Sequence, residues 1–497
     1  MTPSKNQIAI YKAFNLTQRD LNISAVAGSG KTTTLLELLK FIPVDESSLF
    51  LAFNNSIVDE LKKRNTRRDV FISTIHSCGW RAILMRYGSK VKMTPAKALI
   101  KTEKALARYE IDERKRGWFL YAIPQIIDLM RCNLLPPEPE SVEWIGERYD
   151  LNIEDIEKKM AVEVFEAMNR DRSCFDFMDM VYQPVYDSSI RMIKYDYVFC
   201  DEAQDFSICQ QEFIRKCINR RGRLITVGDP RQAIYGFAGA DENSYEKLAD
   251  LNGKAIRLPL SISYRCSKNV VREAQQIVPQ ISYSPTAEDG EVKWGSLKEI
   301  KDGDWILCRN LKPLVEAYIW LIKNKIKCKI RGKEIGEGIL ALINKVGGST
   351  VDGLLKNLER EQERLIEKLS KKGIKEPEKH PKMETLLQKI EVIECLAEEV
   401  ETIKGLRTLI QSIFSDEVRG ILLSTIHKAK GLENDKIFFI CPELIPSRFA
   451  TQEWQIKQEK NLFYVAITRA KRDLTYVSKV TFDQEIKTKI ECNHGKY

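Results

Sequence analysis

The chain has no run of uninterrupted apolar residues approaching the ~20 that a membrane-spanning helix requires. Its opening, MTPSKNQIAIYKAF, lacks the basic-then-apolar layout of a secretory signal. These two absences predict a protein with no membrane partner that stays in the compartment where it is made. Cysteine pairing is missing as well: the 12 cysteines are scattered singly, with no CxxC spacing. Cys492 and His494 fall short of a four-ligand zinc site. Dispersed thiols of this kind behave as small buried hydrophobes in a reducing cytoplasm. Internal repeats and low-complexity tracts are also missing.

What is present is a chain of 497 residues, 43% hydrophobic and 30% charged, long enough for roughly three or four domains. The net charge of +9 suits a polyanionic partner, though over this length the bias is modest. Short, continuously apolar strands alternate with helical segments in two regions. NISAVA, SLFLAF, DVFIST, YDYVFCD and GRLITVGD form the first set; AIRLPL, DWILCR, KIKCKI, GILLSTI, KIFFIC and DLTYVS form the second. Continuous rather than alternating apolarity indicates parallel sheets covered on both faces, hence an α/β fold with two such domains. Each is interrupted by a helical stretch, one between Trp80 and about Met180 and another between about Gly348 and Val418. The second reads as an antiparallel helix pair around IKEPEKHPK, its charge runs most simply a solvated face.

The segment ISAVAGSGKTTTLLELLKFI carries the first chemistry. A strand turns through Gly28-Ser29-Gly30 into a helix beginning near Lys31 and Thr32, the order a phosphate-binding P-loop needs. Backbone N–H groups of Ala25, Val26, Ala27, Gly28, Ser29, Gly30, Lys31, Thr32 and Thr33 would surround the phosphates of a nucleoside triphosphate, with the helix N-terminus adding a favourable dipole. Lys31 would reach the β- and γ-phosphates, and Thr32 would hold Mg²⁺. The bland alternative is a flexible strand-to-helix turn. In YDYVFCDEAQDFS a strand ends on Asp201 and Glu202, placing two carboxylates at the same sheet edge. Asp201 would join the Mg²⁺ shell and Glu202 would orient and deprotonate water, unless the pair is a structural cap.

AVAGSGKT, DEAQD, VGDPRQAIYGFAGAD, LSISYRCS, STIHKAKGLE and NLFYVAITRAK occur in the order and approximate spacing of superfamily 1 helicases. The chain resembles the UvrD/Rep/PcrA branch, in a compact phage- or bacterial-type form, over about two thirds of its length. That resemblance implies two RecA-like P-loop domains, each with a mainly helical insertion and with ATP between them. Mapped on this chain, residues 1–80 and 180–255 form the first domain, 81–179 its insertion, 256–347 and 419–497 the second domain, and 348–418 a reduced second insertion. Gln7 would read the adenine edge, Gln232 would sense the γ-phosphate, Tyr264 would stack on adenine, and Glu433 would approach the ribose and phosphates. Arg265 and Arg469 would supply guanidinium groups to the transferring phosphoryl, a contribution of ~10³–10⁵ in rate. The plain alternative for each arginine is a surface ion pair.

The same resemblance places DNA contacts at Phe53, Asn54, Thr74, His76, Tyr235, Phe237, Thr425 and His427; the aromatics would stack on bases without reading sequence. Phe175, Asp176 and Asp179, in FDFMDM, are expected to position rather than catalyse. The chain departs from the family at Thr33 and Ala238, where arginines are common, and at Lys460-Asn461 in place of a double arginine. The expected activity is an ATP- and Mg²⁺-dependent DNA helicase moving 3′→5′ on single strands and at single-strand/duplex junctions. It would act as a monomer or weak oligomer in the cytoplasm of a bacterial or phage-infected cell, with a replication, repair or nuclease partner. The alternatives are a translocase that displaces proteins with little unwinding, and an ATP-gated DNA-binding subunit of a nuclease or defence complex.

Overall fold

Strands that are apolar along their whole length need cover on both sides, and the chain forms two six-stranded sheets of that kind, one in each of two units, Met1–Ile262 and Ser263–Tyr497. The computed structural model describes residues 3–52, 54–111, 113–151, 153–251, 253, 255–371, 376–414 and 420–487. Among them, no helix is long and apolar enough to cross a membrane.

The first sheet contains β1 (Leu21–Ala25), β2 (Ser48–Ala52), β3 (Val70–Thr74), β4 (Tyr195–Cys200), β5 (Ile218–Gly228) and β6 (Ile256–Leu260). Their order is β3-β2-β4-β5-β1-β6, all parallel. Successive residues alternate between two apolar layers. Leu49, Leu51, Val198 and Cys200 pack on one face, Phe50, Tyr197 and Phe199 on the other. The first layer is continuous with the helical insertion, since Ile123, Ile127, Met160 and Phe165 belong to the same buried cluster as Leu49 and Val198.

β6 corrects the sequence reading. AIRLPL was expected in the second sheet, but it pairs with β1 from Leu21↔Ile256 to Ala25↔Leu260. Leu260 is buried with Ile23 and Val227, and its carbonyl accepts the Val26 N–H at 2.9 Å, so the strand completes the floor of the glycine loop. The first unit therefore runs to residue 262, past the expected boundary at 255. The insertion also lacks the expected edges at 81 and 179. Helices Ile75–Tyr87 and Phe177–Tyr186 cross both and pack on each other.

A group of ions is buried where the insertion meets the Phe175–Asp179 segment. Lys97 donates to Asp179 at 2.7 Å, and Arg131 donates to Asp176 at 2.9 and 3.0 Å and to Asp179 at 3.1 Å. Asp176 also caps helix Phe177–Tyr186 by accepting the Asp179 N–H at 2.7 Å. Phe175 is fully buried beside the Lys97 ammonium. These contacts hold elements together.

The second sheet contains β7 (Glu291–Trp294), β8 (Trp305–Cys308), β9 (Cys328–Ile330), β10 (Ile421–Thr425), β11 (Asn434–Ile440) and β12 (Ala470–Val477). Their order is β7-β12-β11-β8-β10-β9, again all parallel. Between β9 and β10 the expected helix pair is instead three helices after Lys333–Val346: Val351–Lys371, Pro381–Ala397 and Ile403–Ile413. The break comes at Thr402, whose hydroxyl accepts the Gly405 N–H at 3.1 Å and starts a new helix. Leu354, Ile393, Leu406 and Ile410 share one buried cluster with Ile306 and Leu423 of the sheet. Arg309 adds a polar tie, donating to Glu459 at 2.8–3.1 Å and to Glu384 of helix Pro381–Ala397 at 3.0 Å.

Candidate active site

Parallel strands bring their C-terminal ends to one edge, and in the first unit β1, β4 and β5 each deliver a functional segment there. After β1 the chain turns through Gly28 and Gly30, both at positive φ (70° and 76°), into helix Lys31–Leu39. A side chain at either glycine would be strained. A Cβ built on Gly30 meets nothing within 4 Å, so the loop curves around open space. Ser29 Oγ is buried without a hydrogen-bond partner. An orphaned hydroxyl, a helix N-terminus and a lysine at one concave loop fit a bound phosphate chain.

Lys31 Nζ donates to both oxygens of Glu202, at 2.9 and 2.8 Å. Burial works against its charge, but Glu202 and Asp201 outweigh that and move its pKa upward. Thr32 Oγ1 lies 3.3 Å from Asp201 Oδ2, so one hydroxyl and one carboxylate converge. Burial and the neighbouring Glu202 raise the Asp201 carboxyl to about 6. Among the described residues no cluster of three or more His, Cys, Asp or Glu could hold a metal. A lone Thr/Asp pair instead suits Mg²⁺, which keeps waters and takes its remaining ligands from phosphates.

Glu202 occupies the left-handed region at φ 54°, which costs a non-glycine residue about 1–2 kcal/mol and turns its carboxylate out of the strand direction. From β5, Gly228 leads into Asp229, which accepts Gln232 Nε2 at 2.6 Å. Burial raises the pKa of Asp229, opposed by the Gln232 bond and by Lys31. Lys31, Thr32, Asp201, Glu202 and Gln232 thus occupy one hydrogen-bonded neighbourhood of the first unit. Gln204 and Asp229, which the sequence reading missed, bridge them. Their signal was their place inside DEAQD and VGDPRQ.

Gln7 lies beside the same helix, its Nε2 donating to Thr34 Oγ1 at 3.1 Å and its Oε1 accepting the Ser4 N–H at 2.9 Å. At Thr33, where an arginine is common in the family, a guanidinium comes from elsewhere: Arg64 Nη2 donates to Thr33 Oγ1 at 2.8 Å.

In the second unit Arg265 forms an ion pair with Glu433, and the neighbouring Leu432 carbonyl accepts Arg469 Nη1 at 2.9 Å. Arg469 is 1% exposed and also donates to the Val465 carbonyl at 3.1 Å. Burial, aided by the adjacent Arg265 charge, lowers its pKa to about 10. Tyr264 is 39% exposed, with its ring available for stacking.

The expected DNA contacts divide. Phe53 lies outside the described residues. Asn54 and Thr74 act as helix caps, accepting N–H groups of Ile57 at 2.9 Å and Ser77 at 3.2 Å. His76 is half-buried with its pKa lowered by burial. Phe237 is 55% exposed, with Tyr235 edge-on at 6.3 Å between centroids. Thr425 begins helix Ile426–Ala429, which carries His427. Burial, then the charges of Arg309, Lys430 and Lys428, push the His427 imidazole down to about 3.

Comparison with known proteins agrees with this geometry. Residues 7–251 match the UvrD/REP helicase N-terminal domain, and residues 146–481 match the UvrD-like helicase C-terminal domain. The F-box DNA helicase protein 1 of Schizosaccharomyces pombe is 23% identical over 509 residues, covering 93% of this chain and 56% of that protein. The ATP-dependent DNA helicase PcrA of Bacillus subtilis is 26% identical over 288 residues, covering 54% and 38% respectively. A probable DNA helicase II homolog of Mycoplasma capricolum is 22% identical over 608 residues, covering 92% and 82%. The chain spans 56% or less of the lengths of the fission-yeast and Bacillus relatives. Two family domains in sequence, a P-loop on the first sheet and paired arginines on the second lead to one conclusion: the chain belongs to the UvrD-like helicase family.

Proposed function

We propose that the protein is an ATP-driven DNA helicase that moves 3′→5′ along single-stranded DNA and separates duplexes. The observation that carries this reading is the convergence of Lys31, Thr32, Asp201, Glu202 and Gln232 at the C-terminal edge of one parallel sheet. A pure DNA-binding scaffold has no use for a general base beside a metal-holding pair. DNA as the substrate is supported by the names of the relatives, each a DNA helicase.

ATP with Mg²⁺ supplies the phosphoryl group whose hydrolysis releases energy. With nucleotide bound, Lys31 would leave Glu202 to neutralise phosphate charge, and Thr32 and Asp201 would hold the cation. Glu202, freed from the ammonium, orients water and takes its proton. Gln232 reports the terminal phosphate to the loop that carries Tyr235 and Phe237. Arg265 and Arg469 are the guanidinium groups we assign to neutralising transition-state charge. In the cell we expect a cytoplasmic protein, monomeric or weakly self-associating, working with a replication, repair or nuclease partner.

The test is ATP hydrolysis with and without single-stranded DNA, together with unwinding of duplexes bearing a 3′ or a 5′ tail. Stimulation by DNA and preference for the 3′ tail are expected. Lys31→Ala and Glu202→Gln should abolish stimulated hydrolysis, with Glu202→Gln still binding ATP and DNA. Normal turnover by Glu202→Gln would remove it from the role of base, and a 5′-tail preference would reverse the direction. Protein displacement without strand separation would favour the translocase.

A further inference from the structure

DEAQD contains a buried side chain to which the resemblance gave no task. Gln204 is 2% exposed, and both ends of its amide are engaged. Nε2 donates to Glu202 Oε2 at 2.8 Å and to Asp205 Oδ2 at 3.2 Å, while Oε1 accepts the Asp229 N–H at 2.9 Å. The chemistry fixes this orientation. A backbone N–H can meet nothing but an acceptor, and two carboxylates can be met by nothing but a donor. Asp229 then accepts Gln232 Nε2 at 2.6 Å. Hydrogen bonds therefore run from Lys31 through Glu202, Gln204 and Asp229 to Gln232.

Two further facts make this arrangement specific. A Cβ at Gly228 would stand 2.6 Å from Gln204 Oε1, so the approach of β5 depends on glycine there. The far end of the aromatic loop returns to the same segment, with Asp241 N donating to the Phe206 carbonyl at 3.1 Å and Ser244 Oγ donating to the Ala203 carbonyl at 2.8 Å. The loop bearing Gln232, Tyr235 and Phe237 is thus tied to residues 203–206 at both ends.

We propose that Gln204 is a positioning residue that holds the Glu202 carboxylate in place for hydrolysis and couples it to the loop carrying Gln232, Tyr235 and Phe237. The inference rests on the assignment of Glu202 as the base. Lys31 and Gln204 both grip the Glu202 carboxylate in this structure. Once Lys31 transfers to phosphate, the Gln204 amide still holds the carboxylate, and its other end answers to β5. A displacement of the Gln232 loop on DNA binding therefore reaches Glu202 through one rigid amide.

The test uses the full chain with Gln204→Met, which keeps the shape and loses both hydrogen-bonding ends, and Gly228→Ala, whose Cβ presses hardest on the Gln204 oxygen and less on the Ala203 and Gln204 backbone nitrogens, leaving the Glu202 side chain uncrowded. Three quantities are read: kcat and KM for ATP with and without an oligo(dT) strand, the strand's Kd with and without a non-hydrolysable ATP analogue, and the melting temperature. DNA-stimulated kcat should fall about 10–100-fold, the loss of a hydrogen bond to a charged group, with KM changing by about threefold or less. The ratio of the two DNA affinities should move toward one, because coupling between sites is reciprocal. Gly228→Ala should show the same pattern, and it decides the matter if Gln204→Met fails to fold. A folded Gln204→Met with kcat within about twofold of the parent, or with a loss confined to KM and an unchanged affinity ratio, overturns the proposal. Glu202→Gln is run alongside. If it turns over normally, the base assignment itself falls; if it is inactive while both other variants are normal, the failure belongs to Gln204 alone.

Discussion

Replacing Asp179 with alanine strips a shared carboxylate from two cations that have no access to water. The Lys97 and Arg131 side chains are 0% and 1% exposed. Arg131 keeps Asp176 at 2.9 and 3.0 Å, but Lys97 is left with the Asp171 carbonyl at 3.3 Å and the Phe175 ring face at 5.2 Å, neither of which neutralises an ammonium. Gln183 Nε2 and the Asp176 N–H lose an acceptor as well, from 3.3 and 3.1 Å. Breaking a buried pair from one side costs about 3–5 kcal/mol. For a unit of this size that corresponds to a fall in Tm of about 6–20 °C. Differential scanning calorimetry on the full chain reads it as a shift of one transition against the parent. Lys97→Met with Asp179→Leu removes both charges together and should recover most of the loss, since an apolar pair of similar volume is often neutral. A shift below about 2 °C for Asp179→Ala, or a double variant no better than the single one, would refute the reasoning that these cations are dry and held by Asp179.

Phe237→Ala should weaken single-strand binding by about 1–3 kcal/mol, equally for oligo(dT), oligo(dA) and mixed strands by fluorescence anisotropy; a sequence-selective loss would contradict stacking. Arg309→Ala removes the guanidinium that joins Glu459 to Glu384, so amide exchange should rise first in helix Pro381–Ala397; unchanged protection there would show that apolar packing alone fixes the helix. His427, held down to about 3, refuses a proton that the unfolded chain takes up near 6.5, so its contribution to stability is full above pH 6.5 and fades as the pH falls toward 3. Melting temperature between pH 7.5 and 5 should therefore drop less in His427→Gln than in the parent, and parallel curves would count against a half-buried imidazole held neutral.

Residues whose spacing is dictated by chemistry were legible in the sequence. A loop that encloses phosphate needs glycines just before its lysine, and a strand that delivers carboxylates to the same edge must end on them, so Lys31, Thr32, Asp201 and Glu202 could be read directly. The strand runs were legible for the same reason: β2 is buried along its whole length, and after Ser48 every residue of SLFLA is apolar. Which sheet a strand joins was not. Ile256–Leu260 has the composition of either set, and its pairing with β1 is decided by packing over more than 230 residues of chain. Arg64 escaped because a hydrogen bond between distant segments leaves no local trace, and Gln204 and Asp229 because their motifs, DEAQD and VGDPRQ, do not reveal that the two segments bond to each other. Lys97 and Arg131 were passed over, since the helical period places a charge but does not reveal a carboxylate waiting across the core. The helix break at Thr402 was missed because the apolar spacing continues through it, and one side-chain cap decides it.

The Arg309 tie and the shared apolar cluster of the second unit have a mechanical consequence. Helices threaded between β9 and β10 that share the buried cluster of the sheet cannot pivot against it without exposing Ile306, Ile393 and Leu423 to water together. The insertion is then a stiff outgrowth of its parent sheet, and a push delivered to its outer surface would be felt at once by helix Glu453–Ile467, the element that ends two residues before Arg469.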